Sequence, residues 1–455
     1  MRHVILLICL LSSLALHAQV RWMGGDISLY LSYQSCGTVY RDSIGQPVNL
    51  LYYARQLGWN MMRVRLFVDP ANAPTQNKKE GVCQDLPYVI QLCKEIKEAG
   101  LSIMLDLHYS DTWADPAKQF TPRRWKSLKA AALSDSVYSY TTHVLQAMKK
   151  ANVEPDMIQV GNEITFGMLW PVGKVDPEKD HNWNVLAKLL KAGCRACREV
   201  CPKAKIIIHT EHAQDWAATK GYYERLSKYK VDYDVIGLSY YPMWHGTVAH
   251  LGTVLNAIDT TFHKPVMIVE TAAYYSHDHD KWVTTPRTEE GGYEVSIKGQ
   301  RQFTAELVDE LNKHNNVIGL FWWYPEENAC GNQLMESWLN RGLFNNENGC
   351  ALPALYELSR FMPHSSIETP HKFNSRDLPQ YSAYTLIIFY DAEVGAEPLL
   401  RALTMIKAQV IYQYTNFHGL AITKPTDMTI EETIAYLERV KGVLQVSRDA
   451  IYQLQ

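Results

Sequence analysis

From Gly25 to Met362 the chain alternates short apolar runs, many of them β-branched, with longer amphipathic stretches, and it does so eight times. A strand that is apolar on both faces must be covered on both. A helix after each strand supplies that cover, so the pattern predicts repeated βα units feeding a parallel sheet. The strand candidates are Gly25 to Tyr30, Met61 to Val68, Ser102 to His108, Met157 to Glu163, Lys205 to His209, Val235 to Tyr240, Val266 to Glu270 and Gly319 to Trp323. Helices are expected over Gln46 to Leu57, Leu86 to Ala99, Arg123 to Ala151, Trp183 to Val200 and Ile297 to Asn312. Eight such units close into an α/β (β/α)8 TIM barrel, whose chemistry collects where the strands end.

The barrel is expected to occupy residues 19–362 of the 455, leaving a second, smaller domain. Residues 363–380, with Pro363, Pro370 and Pro379 among polar neighbours, read as a linker. Residues 381–455 carry their own rhythm: a strand (Tyr384 to Tyr390), a helix (Pro398 to Ala408), two strands flanking Thr415 to His418, a helix (Ile430 to Val440) and a strand (Val443 to Ser447). That βαββαβ order predicts a small α+β ferredoxin-like domain. Its pattern and the turn over Tyr414 to Gly419 resemble the modules of subtilisin-type propeptides, which implies either an interaction or folding-assistance role or a stabilising appendage; its partner is left unassigned.

Residues 1–18 join a basic start (Arg2, His3) to an apolar run from Val4 to Leu16 and a small residue at Ala18. They read as a cleaved signal peptide, which predicts export to a secreted, periplasmic or cell-surface location. A lipobox reading of Leu6 to Cys9 is disfavoured by the bulk of Ile8 beside the cysteine. Removal of the signal takes Cys9 and leaves eight cysteines, whose pairing an oxidising destination permits and the sequence leaves open. Cys194, Cys197 and Cys201 share one helix face and read as small core residues rather than metal ligands. No later run is long enough to cross a membrane as a helix. A net charge of -3 gives no basic field for nucleic acid or an anionic lipid surface. The 12 Trp and 27 Tyr instead supply the flat rings on which sugar faces stack.

Polar residues gather at the expected strand ends. Arg63 and Arg65 belong to strand two, Asp106 and His108 to strand three, Asn162 and Glu163 to strand four, and His209 and Glu211 to strand five. Ser239, Tyr240 and Tyr241 follow strand six, Glu270 ends strand seven, and Trp322 and Trp323 end strand eight. Two carboxylates on either side of a glycosidic bond divide the work between proton donor and nucleophile. Glu163 is assigned the first role and Glu270 the second, and a separation of roughly 5 to 5.5 Å gives retention of configuration. Asn162 is expected at the sugar 2-hydroxyl, and Tyr240 at the nucleophile.

Several segments together resemble glycoside hydrolase family 53, the endo-β-1,4-galactanases. They are Gly24-Gly25-Asp26-Ile27-Ser28, Gly58 to Arg65, the run Asp106-Leu107-His108-Tyr109-Ser110-Asp111-Thr112-Trp113-Ala114-Asp115-Pro116, Gln159-Val160-Gly161-Asn162-Glu163, Gly237 to Pro242 and Val269-Glu270-Thr271. The resemblance spans the barrel. It implies cleavage of internal β-1,4 linkages of galactan through a galactosyl-enzyme intermediate, with no cofactor required. It also implies that Arg65, His108, Asn162, Tyr240 and Trp323 line the sugar site and that Trp113 adds an aromatic wall. Where the family commonly has Trp-Glu-Pro after strand eight, this chain has Trp323-Tyr324-Pro325 followed by Glu326 and Glu327, so the contacts beyond the central sugar are expected to differ. Some family members bind calcium in the loop after strand seven, and Asp278 and Asp280 resemble part of such a site. The glycine and asparagine positions are absent, and a solvated loop is the preferred reading. Alternatives are a hydrolase of another β-glycan, such as mannan or glucan, and a carbohydrate-binding protein without catalysis.

Overall fold

A computed structural model describes residues 20–329, 334–362, 380–414 and 418–451. The expected signal peptide and the expected linker up to residue 379 lie outside the described residues. The chain divides into two compact units.

In the first unit eight parallel strands close into a barrel. They are β1 (Trp22–Asp26), β2 (Met61–Leu66), β3 (Ser102–Leu107), β4 (Met157–Val160), β5 (Lys205–Thr210), β6 (Val235–Ser239), β7 (Val266–Thr271) and β8 (Val317–Trp323). The ring closes by pairing β1 with both β8 and β2. Around it run α1 (Leu50–Gln56), α2 (Leu86–Glu98), α3 (Ala130–Lys150), α4 (Trp183–Val200), α5 (Trp216–Lys228), α6 (Val248–Phe262), α7 (Ile297–Leu311) and α8 (Pro353–Leu358). Side-chain caps fix several starts: Asn49 accepts from Leu51 N and Tyr52 N, Asp85 from Tyr88 N, Asp215 from Ala218 N and Ser296 from Gly299 N. The region expected to be one helix from Arg123 is a 3-10 turn (Arg123–Trp125) followed by α3. Cys194, Cys197 and Cys201 are buried in the core between the helices and the barrel.

Period-2 alternation sorts the strand residues. Outward-facing Met62, Val64, Ile103, Leu105, Ile206 and Ile208 pack with the helices. Inward-facing Met61, Met104, Met157, Ile207, Val235 and Met267 fill the base of the barrel with Phe321. One level higher the interior turns polar, with Asp26, Arg63, Asp106, Gln159 and His209 all buried. This polar layer carries the mouth of the barrel.

Strand β1 begins earlier than expected and stops at Asp26, because the Asp26 carboxylate accepts from both the N–H and the hydroxyl of Ser28 and turns the chain there. Strand β7 contains an extra residue. Leu238 and Ser239 face Ile268 and Glu270, and Leu320 and Trp322 face Ile268 and Thr271. Strict alternation places Glu270 on the helix side with Ile268; the bulge turns it into the mouth.

The second unit has β9 (Gln380–Tyr390), α9 (Glu397–Met405), β10 (Gln409–Tyr414), β11 (Gly419–Thr423), α10 (Ile430–Leu437) and β12 (Val443–Ile451). The sheet order is β10-β11-β9-β12, all antiparallel, which is the ferredoxin-like arrangement. Leu386, Ile388, Leu420 and Ile422 from the sheet meet Leu399, Leu403 and Leu437 from the helices. Thr429 and Glu432 form a capping box at the start of α10.

Candidate active site

The C-terminal rim holds a cavity of about 550 Å³ that contains Glu163 and Glu270. Its floor is organised by one cation. Arg63 donates to Asp26 Oδ2 at 2.8 Å, Asp106 Oδ2 at 2.9 Å and Asn162 Oδ1 at 2.8 Å, and its Nη2 forms an ion pair with Glu270 Oε1 at 2.9 Å. Burial works against that charge, but Asp106, Glu270 and Asp26 around it outweigh burial and hold it protonated.

Glu270 also accepts from the Tyr241 hydroxyl at 3.0 Å. Burial, joined by the charges of Asp106 and Asp26, raises its carboxyl, while Arg63 and Tyr241 pull the other way and limit the rise. Glu163 has no such cation. Burial first, then the charges of Glu270 and Glu211, raise it well above the ordinary glutamate range. The first carboxylate to ionise is therefore Glu270, and the proton stays on Glu163.

A loop in left-handed conformation presents Glu163 to the cavity, with φ of +87° at Gly161 and +46° at Glu163. A side chain at Gly161 meets Ile164 Cγ2 at 2.8 Å, so glycine is required there. For a glutamate such a conformation is strained, and the surroundings fix it. Ser239 donates to Glu163 Oε1 at 2.7 Å and lies 2.8 Å from His209 Nε2. Burial holds His209 well below the ordinary histidine range, so the ring is neutral. Its Nδ1 lies 3.0 Å from the Gln159 amide, 3.0 Å from Asn162 Oδ1 and 3.4 Å from the Glu163 N, so the ring links the loop of Glu163 to Ser239.

Arg65 donates to Asp26 Oδ1 at 3.0 Å and lies over the Trp113 ring at 4.6 Å. Among the described residues its Nε and Nη2 have no hydrogen-bond partner. Trp113 stands 6.4 Å from Trp323 between ring centres, and the two indoles wall one side of the cavity. Asn162 donates to Ala114 O at 2.8 Å. His108 lines the cavity, with Nε2 donating to Asp106 Oδ2 at 3.0 Å and Nδ1 accepting from Ala114 N at 3.2 Å. Both ring nitrogens are thus engaged within the protein, and His108 braces the strand-three loop rather than offering a donor to a hydroxyl.

Tyr240 is not where the sequence reading placed it. Its hydroxyl donates to Gly246 O at 2.9 Å and its ring stacks on Phe303 beneath α7. Ser239 and Tyr241 share the inward face, and alternation sends the residue between them outward. The contact with Glu270 belongs to Tyr241. Glu326 and Glu327 are also away from the rim. Glu326 accepts from Leu29 N at 2.8 Å, and Glu327 gathers the N–H groups of Asn340, Arg341 and Gly342 with the Asn346 amide. They organise the loop after β8.

Neither Asp278 nor Asp280 presents a ligand set. Asp280 accepts from Trp282 N, Leu339 N and the Tyr274 hydroxyl, and Asp278 is exposed and accepts from Ser276 Oγ. Among the described residues there is no group of three or more His, Cys, Asp or Glu able to hold a metal ion. The loops after β6, β7 and β8 instead bring Trp244, Trp282 and Trp338 together at the cavity edge, with Trp282 and Trp338 stacked at 4.9 Å. Sequence reasoning missed these three, because they are far apart in sequence and follow no period. Only the abundance of tryptophan hinted at them.

The profile described as Glycosyl hydrolase family 53 matches residues 22–358. A probable arabinogalactan endo-beta-1,4-galactanase A of Aspergillus fumigatus is 33% identical over 352 residues, covering 74% of this chain and 94% of its own. An endo-beta-1,4-galactanase of Bacillus subtilis is 33% identical over 306 residues, 66% of this chain and 69% of its own. Among solved structures, a family 53 catalytic domain of Ignisphaera aggregans superposes with a TM-score of 0.68 at 31% identity, covering 76% of this chain and 97% of that one.

Proposed function

The chain belongs to glycosyl hydrolase family 53, and from that membership we propose that it is an endo-β-1,4-galactanase that cleaves internal galactosidic linkages with retention of configuration. The observation that carries the reading is the opposed setting of two carboxyls in one cavity: Glu270 against Arg63 and Tyr241, and half-buried Glu163 with no cation of the described residues within ion-pair distance.

In the first step Glu270 attacks the anomeric carbon, while Glu163 gives its proton to the departing glycosidic oxygen. In the second, Glu163 as a carboxylate takes a proton from water. The resulting hydroxide equivalent attacks the same carbon and frees Glu270. Atoms and charge balance with protein and water alone. Arg63 and Tyr241 orient the nucleophile and steady its charge, and the Ser239 hydroxyl holds Glu163 in line. Trp113 and Trp323 offer apolar faces to the sugar ring, and Arg65 offers two free donors. Asn162, beside both carboxyls, suits the 2-hydroxyl.

Reducing-sugar release from purified galactan, compared with mannan and cellulose, tests the substrate. Activity on either of the latter without activity on galactan rejects the galactanase reading. Proton NMR of the first product tests the mechanism: a β-configured hemiacetal is expected, and an α-configured one removes Glu270 from the role of nucleophile. We also assign export to residues 1–18, and N-terminal sequencing of the mature protein reads the cleavage site.

A further inference from the structure

Glu211 stands just past β5, beside the strand that carries Glu163, and lines the same cavity. It is almost fully buried. Its contacts tie it to the loop that bears the proton donor. The Thr165 hydroxyl donates to Glu211 Oε2, the Glu211 N–H reaches Thr165 Oγ1 at 3.4 Å, and Ile164 N donates to His209 O at 2.9 Å. Its other oxygen lies 3.3 Å from His212 Nε2. Among the described residues no lysine or arginine reaches it within ion-pair distance. The reaction proposed above, on which this inference rests, gives this carboxyl no bond to make or break.

We propose that Glu211 is a positioning residue for the proton: its carboxylate, bound to the loop that carries Glu163, keeps the proton on Glu163 until the leaving group takes it. A like charge nearby disfavours ionisation, and it does so strongly where solvent is excluded. Burial pushes Glu211 itself up to about 7, with the Thr165 hydrogen bond pulling the other way.

The groups facing it do not cancel its charge. From the loop after β3, Asp115 adds further repulsion and is itself paired with Lys118. His212, on its own loop, is lowered by burial and stays neutral. Tyr222 and Tyr223 of α5 are raised by burial and stay neutral as well. Above neutral pH, then, Glu211 adds a second negative charge to that of Glu270, and the loss of the Glu163 proton moves to higher pH.

The test uses the full chain. Glu211→Gln keeps the shape and removes the charge, and Glu211→Asp keeps the charge. For wild type the basic limb of the kcat/KM profile on galactan reports the Glu163 proton. In Glu211→Gln that limb is expected to move to lower pH by roughly half to one unit, whereas Glu211→Asp stays close to wild type. An aryl galactoside whose leaving group needs no proton is expected to show no such shift.

A folded Glu211→Gln protein with an unmoved limb overturns the inference. So does a variant that loses affinity for galactan equally at every pH, because Glu211 then touches the sugar instead. Carbon-13 NMR titration of labelled glutamate carboxyls reads the Glu163 proton directly in wild type and Glu211→Gln. It decides the matter even where galactan hydrolysis fails, and such a failure rejects the functional reading separately.

Discussion

Exchanging either of two adjacent tyrosines for phenylalanine separates their roles. Tyr241 donates to Glu270 Oε2 at 3.0 Å and Tyr240 donates to Gly246 O at 2.9 Å, and both rings are buried. Each substitution removes one oxygen and leaves the packing volume almost unchanged. A hydrogen bond to a charged carboxylate contributes about 1.5–3 kcal/mol and one to a neutral acceptor about 0.5–1.5 kcal/mol. Tyr241→Phe therefore withdraws about 1 kcal/mol more from the ionised form of Glu270 than from its protonated form, which corresponds to roughly 0.7 of a pH unit. The bond favours the charged form, so its loss raises the carboxyl. The acid limb of kcat/KM on galactan moves to higher pH, and activity is lost on the acid side and regained as pH rises. Tyr240→Phe lowers the melting temperature through a bond worth about 1 kcal/mol and leaves the acid limb in place. Paired pH–rate profiles and thermal melts read both outcomes. An acid limb that moves in Tyr240→Phe but not in Tyr241→Phe refutes the assignment made from the strand geometry.

Glu163→Ala is expected to lose about 10²- to 10⁴-fold on galactan, to lose little on a substrate with an activated leaving group, and to recover with added azide as a glycosyl azide; uniform loss on both substrates without rescue removes Glu163 from the donor role. Asp26→Ala leaves Arg63 and Arg65 short of a shared carboxylate and is expected to destabilise the barrel by about 3–5 kcal/mol, a loss read by denaturant unfolding and contradicted by an unshifted midpoint. Treatment with a strong chelator is expected to leave activity and melting temperature unchanged, since both oxygens of Asp280 already accept from protein donors; a fall in either, restored by calcium, contradicts that.

The barrel was legible because its strands are apolar on both faces and its helices are amphipathic, two periods that differ enough to be told apart. The placement of Glu163 and Glu270 at the barrel mouth was legible because both close such runs, but for Glu270 the strand end alone does not set its direction. Alternation alone turns it toward the helices, and only the extra residue in β7 brings it inward. Tyr240 and Tyr241 are the same residue type in adjacent positions, so the choice between them depended on the phase of β6. Ser239, facing inward to Glu163, carried that phase. The edge formed by Trp244, Trp282 and Trp338 had no local signature, because three loops assemble it. The loop after β8 read as a departure at the rim, whereas Glu327 collects backbone N–H groups inside it, a use of carboxylate that sequence spacing does not reveal.

Arg63 joins residues of β1, β3, the β4 loop and β7 at one point. The group that steadies Glu270 thus also ties the closing strands of the barrel together, so replacing Arg63 disturbs both at once. The indoles of the loops above this layer share no bond with it, so exchanging Trp244, Trp282 or Trp338 leaves the Arg63 contacts in place. The polar layer acts as a fixed chassis, and the diversity of polymers such a barrel can address is written in its outermost residues.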